Sequence, residues 1–588
     1  MRVVALLVAC TLSCSSPNPA DAQRTRRTSR ASSPLEAAEG VIGPRALAAR
    51  LSAFSDDSMS GRAVGTVGNV RATAYIERQL AQLGVRPAGE DGGYFQALPL
   101  ARRAFDTAST IEVGDVVFRG GADFVAGVPL FVGPPLGANS SASPHQFTSV
   151  PFMYGGYAFD TSNVLTPDET RGRIVLLRAF VPPPGFDQRA FTAVQQTPAF
   201  ARYVEALRAA AGVALVSGDT LSRALIRRAT TVGPVIFLHD EPGYPSLSVT
   251  RRLADALLGV PLASARKGMI GVPATSHIRF VDTPTPVGRN VIGVIPGTDP
   301  KLRHEYVVLS AHSDHLGVRP GPPVDHDSVK AFMEVVRPEG ADSPPARPTT
   351  TQEARIRMLI DSLHRAHGGA RPDSIYNGAD DDGSGSVSLL AIAEAVLRAH
   401  AQPKRSLLFV WHTGEEPGLW GSEYFTDHPT VPRDSIVADL NIDMVGRGDS
   451  SDVTGRTKSG LPIHGGLRYV QLVGARRLST ELGDIVERVN QRRELNLVLD
   501  YTMDAPGHPE MIYCRSDHYE YARFGIPVAF FTTGGNADYH QVTDEAQYID
   551  YDHMTLVDRF ILAVAETVAS LDHRPRVDGS PRDVECGE

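Results

Sequence analysis

Y-N-G-A-D-D-D-G-S-G, residues 376–385, sets Asp380, Asp381 and Asp382 side by side between Gly378 and Gly383. Three adjacent carboxylates repel one another, resist burial and suit neither a helix interior nor a strand. Asp and Gly alone would make a solvated turn. The next residues argue otherwise, because V-S-L-L-A-I-A-E-A-V-L-R (387–398) is an apolar helical run. A carboxylate cluster on a glycine-flanked loop that opens a buried helix has the character of a cation site. Its partners must come from elsewhere in the chain.

The chain has 588 residues, too many for one ordinary core, so two or more domains are expected. With 42% hydrophobic and 21% charged residues it has a globular composition. A net charge of −9, and no basic stripe with interleaved aromatics, argue against nucleic acid as a partner. No apolar run reaches the roughly 20 residues needed to span a bilayer. Met1-Arg2, the apolar run 3–12 and the polar residues 13–17 form a signal-peptide pattern. It offers two exits. Ala20-Asp21-Ala22 is a cleavage site before Gln23, and Leu7-Val8-Ala9-Cys10 resembles a lipobox that would leave Cys10 lipidated. The chain is therefore expected to be exported, either periplasmic or secreted, or anchored as a lipoprotein through Cys10. Residues 23–43 read as a disordered tether. Only Cys514 and Cys586 remain in the body of the chain; export permits a bridge between them, but two cysteines make no framework.

Residues 44–54 and 69–83 read as helices. From 95 to 280 the texture is short strand-like runs, such as 110–118, 150–157 and 173–178, separated by Gly and Pro. That stretch reads as a separate, mostly-β module. Beyond Gly288, the strands 290–295, 306–310, 406–411, 436–442 and 527–532 alternate with helices and are apolar on both faces. This is the pattern of an α/β fold with a mixed or parallel sheet.

Open α/β sheets bind ligands outside the carboxyl ends of their strands. Those ends here carry His312-Ser313-Asp314-His315, then His412 with Glu415-Glu416, then Asp443, then Asp538-Tyr539-His540. Taken singly, His315 and His412 read as structural histidines. With the Asp381 loop, five loops of one domain bring His or carboxylate groups to one edge. A set of two His and three carboxylates suits a divalent metal such as zinc. Two ions about 3.5–4 Å apart would need a bridging carboxylate, for which Asp381 is the candidate. Adjacent Glu415 and Glu416 point apart on extended backbone, so one can hold metal while the other serves as general base.

The motifs A-H-S-D-H-L-G, N-G-A-D-D-D-G-S-G, G-E-E-P-G-L-W-G-S-E-Y, N-I-D-M-V-G and Y-H-Q-V-T-D together resemble peptidase family M28, over about 288–571 plus the N-terminal helices. The resemblance implies a phosphorylase/hydrolase-like mixed-sheet α/β sandwich with two zinc ions per chain. It implies that His312 and Asp443 hold one ion, Glu416 and His540 the other, and that Asp381, four residues before Gly385, bridges them. It makes Glu415 the general base and acid, Asp314 the residue that orients His312, and Tyr539 a group that polarises the scissile carbonyl. Asp380 and Asp382 would be flanking residues, solvated or hydrogen-bonded to the loop. A cis peptide is expected at Asp381–Asp382. In the middle module, G-R-I-V-L-L-R (172–178) and A-G-V-A-L-V (211–216) resemble a PA (protease-associated) domain, implying restriction of or contact with substrate.

The expected organisation is a signal peptide (1–22), the tether (23–43), N-terminal helices (44–94), the PA-like insertion (95–280), the peptidase domain (281–573) and a polar tail (574–588). Within the peptidase domain, 318–374 forms an extra segment between the His312 loop and Asp381. It has a Pro-rich part and an amphipathic helix, 352–367, with Ile356, Leu359, Ile360 and Leu363 as its apolar stripe. Anchored at both ends beside predicted ligands, it should rise from the rim of the site as a lid or wall. The leading function is hydrolysis of peptide or protein substrates as an aminopeptidase. Beside it stand a glutaminyl cyclase-like acyltransferase, a carboxypeptidase using Arg515 to bind a free carboxylate, and a non-catalytic receptor-like binding protein.

Overall fold

The computed structural model describes residues 38–128, 130, 146–162, 164–179, 197–238, 245–400, 403–580 and 586. The expected signal peptide, Cys10 and most of the tether lie outside the described residues. Among the described residues no helix is long and apolar enough to cross a membrane.

The main sheet has nine strands: β1 (Arg86–Pro87), β2 (Phe95–Ala97), β3 (Arg289–Ile295), β4 (Tyr306–His312), β5 (Ser406–His412), β6 (Ile436–Ile442), β7 (Tyr469–Val473), β8 (Val498–Asp500) and β9 (Val528–Thr532). Their order is β1-β3-β5-β4-β6-β9-β7-β8, with β2 also paired to β3. Strands β5, β4, β6 and β9 are mutually parallel, so their carboxyl ends share one edge. β3 and β7 run antiparallel to their neighbours β5 and β9, which makes the sheet mixed.

The longer helices of this domain are α1 (Pro44–Phe54), α2 (Val67–Leu83), α3 (His326–Val336), α4 (Thr350–His367), α5 (Gly385–Arg398), α6 (Trp420–Asp427), α7 (Thr480–Arg492) and α8 (Tyr551–Ala569), with a short helix at His518–Ala522. The period-2 alternation of β4 explains why both faces are covered. Val307, Leu309 and Ala311 join the core built with α1, α2, α5, α7 and α8, whereas Val308 joins Leu408, Val410, Phe425 and Tyr521 on the opposite face. Helix α5 is buried from Gly385 to Val396, as the predominantly apolar run of its sequence requires.

The middle module has its own cores and an eight-stranded sheet. Its central strands Val150–Tyr157, Ile174–Arg178, Gly212–Gly218 and Ser246–Thr250 are parallel. The chain leaves the main sheet later than position 95, because β2 pairs with β3. It returns after Phe280–Thr283, which belongs to a small sheet with Leu100–Phe105 and Val235–Phe237. The module touches the main domain where Phe237 stacks on Trp420 of α6, with ring centroids 6.2 Å apart.

Three expectations change at the ends of the chain and in the aspartate run. Ala38 and Ile42 are buried in the main core and Glu39 pairs with Arg493, so the last residues of the expected tether are part of the fold. The polar tail is tied down: Asp578 accepts hydrogen bonds from Thr480, and Cys586 is bonded to Cys514. Asp380 and Asp382 are not solvated but fully buried, each held by backbone or amide donors. The peptide between Asp381 and Asp382 is cis.

The 318–374 segment is closed at its neck by two short antiparallel ladders, Gly317–Val318 with Ile375–Tyr376 and Val324–Asp325 with Pro372–Asp373. Helix α4 begins with a Thr349/Gln352 capping box and ends at left-handed Gly368. Ile356, Leu359, Ile360 and Leu363 are half-buried, and the rest of α4 is largely exposed.

Arg62, in the turn Asp57–Arg62 between α1 and α2, is wholly buried. It donates to the carbonyls of Ser313 (3.1 Å), Asn377 (2.5 Å) and Gly378 (2.8 Å). One guanidinium therefore joins the loop after β4 to the aspartate loop. Arg62→Met keeps the length but leaves the Ser313 and Asn377 carbonyls without their donor, at about 1–3 kcal/mol each, while the Gly378 carbonyl keeps the Gly383 N–H. Urea denaturation should show a loss of at least about 2 kcal/mol; a loss below about 1 kcal/mol would mean the two carbonyls find other donors.

Candidate metal centre

The parallel strands bring their loops to one edge, and there the expected residues meet. His312 ends β4, Glu415 and Glu416 follow β5, Asp443 follows β6, and His540 sits on the loop after β9. Asp381 lies between them with its two oxygens facing different ways. Oδ1 is 3.2 Å from His312 Nε2, and Oδ2 is 3.0 Å from His540 Nε2. His312 Nε2 is also 3.6 Å from Asp443 Oδ1, and His540 Nε2 is 3.0 Å from Glu416 Oε2. Two donor groups result, His312/Asp381/Asp443 and His315/Asp381/Glu416/His540, with the donor atoms of each within 4.8 Å of one another.

Buried polar groups are normally hydrogen-bonded. In this cluster, Asp381 Oδ2, Asp443 Oδ1, Glu416 Oε1, His312 Nε2 and His315 Nδ1 are buried without a hydrogen-bond partner. Burial of unneutralised carboxylates is costly, and a cation shared between convergent oxygens and imidazole nitrogens removes that cost. The donors present fit two divalent ions with Asp381 between them.

Electrostatics separates the two adjacent glutamates. Burial pushes the Glu416 carboxyl up, but His315 and His540 outweigh it and hold it at about 2. Burial pushes Glu415 well above the usual carboxylate range, and the neighbouring Glu416 and Asp443 reinforce the rise against His312. Glu415 Oε2 stands 3.9 Å from His312 Nε2, outside both close donor groups.

Asp314 does more for the glutamates than for His312. Its Oδ1 accepts the N–H groups of Gly414 (2.7 Å) and Glu415 (3.2 Å), which fixes the turn carrying Glu415 and Glu416. Its carboxylate is 3.7 Å from His312 Nδ1, while the Asp314 carbonyl oxygen is nearer, at 3.2 Å. The orientation of His312 thus comes chiefly from backbone. Tyr539 stacks on His540, with centroids 4.0 Å apart, and lines the same cavity as Asp381, Glu415 and Asp443.

Several contributing residues escaped the sequence reading. Ser516 donates to Asp443 Oδ2 at 2.9 Å. Asp544, the last residue of Y-H-Q-V-T-D, accepts the N–H groups of Asp380 and Asp381; burial and Asp380 push it up to about 7. His315 faces Glu416 and Asp381. A second histidine three residues after His312 was its only signal. His412, by contrast, is structural: it is buried beside Tyr521 Oη (3.0 Å), and burial holds it down to about 3.

From the 318–374 segment, Glu339 and Asp342 reach the cavity wall. Asp342 makes a two-pronged contact with Arg515, both distances 3.0 Å, and Glu510 lies 3.7 Å from the same guanidinium. Glu339 pairs with Arg456 at 2.6 Å. The apolar part of the cavity is made by Met444, Met503, Ile512 and Phe530.

Residues 350–565 match the model of peptidase family M28. The chain is 30% identical over 203 residues to leucine aminopeptidase 1 of Penicillium rubens, covering 33% of this chain and 47% of that protein. It is 43% identical over 81 residues to leupeptin-inactivating enzyme 1 of Streptomyces exfoliatus, covering 13% and 18%. The chain spans about half or less of the length of the curated relatives it matches. Among solved structures it is similar to the aminopeptidase from Aneurinibacillus sp. strain AM-1, with 16% identity, a TM-score of 0.43, and coverage of 93% of this chain and 98% of that one. The strand-end motifs gathered at one edge and this match, running from the insert into α8, make residues 350–565 similar to peptidase family M28.

Proposed function

We propose that the chain is an exported dizinc aminopeptidase. The observation that carries this reading is the two-sided placement of Asp381, one oxygen on His312 and the other on His540. His312, Asp381 and Asp443 would hold one ion, and Asp381, Glu416 and His540 the other. When bound, such a pair lowers the pKa of water and polarises a carbonyl oxygen. Glu415 takes the proton of the attacking water and returns it to the leaving amine, as a general base and then a general acid. Asp314 fixes the Glu415 turn for that transfer. Tyr539 donates a hydrogen bond to the scissile carbonyl. The PA-like module and the 318–374 segment restrict which substrates reach the site. The signal-peptide pattern supports export, and Leu7–Cys10 offers a lipid anchor.

The aminopeptidase direction is supported by Arg515. A carboxypeptidase needs a free cation for the terminal carboxylate, and this guanidinium is already engaged, with both Asp342 oxygens on Nη2 and Glu510 near Nη1. The apolar wall of Met444, Met503, Ile512 and Phe530 suits an uncharged first side chain such as leucine. The full donor set supports a hydrolase over a receptor-like protein.

Glu415→Gln should keep both zinc ions by metal analysis and lose roughly 10²–10⁴-fold in kcat on a leucine nitroanilide. Retention of full activity would remove Glu415 from the chemistry. Asp381→Asn should weaken both ions together, measured as zinc per chain after dialysis; loss of only one would end its bridging role. Asp342→Ala should free Arg515, so kcat/KM for a glutamyl substrate should rise at least about tenfold relative to leucyl, one strong charge-assisted contact. An unchanged ratio would mean that Arg515 does not face the first side chain.

A further inference from the structure

We propose that His315 is an additional metal ligand, a sixth protein side chain in the centre that makes the two metal positions unequal. This rests on the dizinc reading above and goes beyond it. The position formed by Asp381, Glu416 and His540 would gain His315 as a fourth protein donor. The position formed by His312, Asp381 and Asp443 would keep three.

The geometry around the ring carries the argument. His315 Nδ1 is 2.5 Å from Glu416 Oε1 and 3.6 Å from Asp381 Oδ2. The short contact does not have hydrogen-bond geometry, and both Nδ1 and Glu416 Oε1 are without a hydrogen-bond partner. The two atoms face each other with nothing to offset them, and an ion placed between them would both separate and neutralise the pair. Glu416 and Asp381 also face His540, so four donor side chains close around one point, all of their ligand atoms within 4.8 Å of one another. A mere core histidine would use its ring nitrogens on neighbouring polar groups; here both are buried and unpartnered.

The backbone makes room for this ring. Gly378 has φ +56°, and a Cβ there would sit 2.5 Å from His315 Cγ and Cδ2. Arg62 holds the carbonyls of Asn377 and Gly378 on the far side. The loop that supplies Asp381 is thus shaped to the imidazole, which is 1% exposed.

Closed four-donor zinc sites hold their ion, and three-donor sites leave a position for water or substrate. The His315 position would therefore be the tight one. The open one would be the His312/Asp443 position, which is also the one beside Glu415. That places the exchangeable coordination site next to the proposed base.

X-ray absorption at the zinc edge of the intact, fully loaded protein tests this without a mutation. Three imidazoles for every two ions are expected, against two for two if His315 does not ligate. Chelator titration with metal analysis should show two classes of zinc in the natural protein. In His315→Ala and His315→Gln, each checked for folding by circular dichroism, the tighter class should weaken at least 100-fold while the weaker one stays. Two imidazoles for two ions, or unchanged affinity of both classes in a folded variant, would overturn the assignment. Fewer than two zinc ions in the natural protein would instead overturn the dizinc reading on which it rests.

Discussion

Asp380, Asp381 and Asp382 lie together below the surface, and like charges that close in a low dielectric must each be offset by donors or cations. The outer two are offset by neutral donors. Asp380 accepts from the Gly446 N–H and the Asn536 amide. Asp382 accepts from the N–H groups of His312, Gly385 and Met444. Its one carboxylate therefore ties the end of β4, the start of α5 and the residue after Asp443. Asp381 is the exception. Its carboxylate faces imidazoles and finds no backbone donor, while its own N–H is held by Asp544. The run is a scaffold whose outer members are structural pins and whose middle member keeps its carboxylate turned toward the imidazoles of His312 and His540.

This explains what could be read in the sequence and what could not. Strands buried on both faces leave continuous apolar runs, so β4, β5, β6 and β9 were visible, and with them the residues just past their ends. His312, Asp381, Glu416, Asp443 and His540 converge because four parallel strands share an edge. The burial of Asp380 and Asp382 was not legible, because their donors come from 444–446, 536 and the end of β4, contacts that no local pattern encodes. Arg62 was hidden for the same reason: in sequence it closes an ordinary S-G-R turn, and the Ser313 and Asn377 carbonyls it holds lie more than 250 positions away. His315 was visible but discounted, since a single histidine near a strand end is most often structural. The parallel order of the middle module and the packing of Ala38 and Ile42 also depend on long-range pairing.

The two additions to the sheet meet the site from different sides. The middle module leans on α6 through Phe237 and Trp420, just beyond the turn that carries Glu415 and Glu416. The 318–374 segment grips the opposite loop. Lys330 of α3 reaches Asp538 at 3.0 Å, and the Ala341 N–H donates to the Tyr539 carbonyl at 3.1 Å. Left-handed Gly340 allows that approach, for a Cβ there would lie 2.5 Å from the same oxygen. The segment is therefore part of what positions Tyr539 and His540.

A wall fastened to the loop that carries Tyr539 and His540 cannot move freely without moving those side chains. Asp538 illustrates the coupling: burial raises its carboxyl, yet Arg447 of the main domain and Lys330 of the insert together hold it below the usual carboxylate range. The two cations share one buried anion, so neither contact is an isolated surface pair of little consequence. It follows that the shape of the cavity mouth and the position of His540 are not separable here. The residues that shape the mouth, Glu339 and Asp342, sit on the same short segment as the N–H that holds Tyr539. A change that loosened this turn would be felt first at His540, before it widened the cavity.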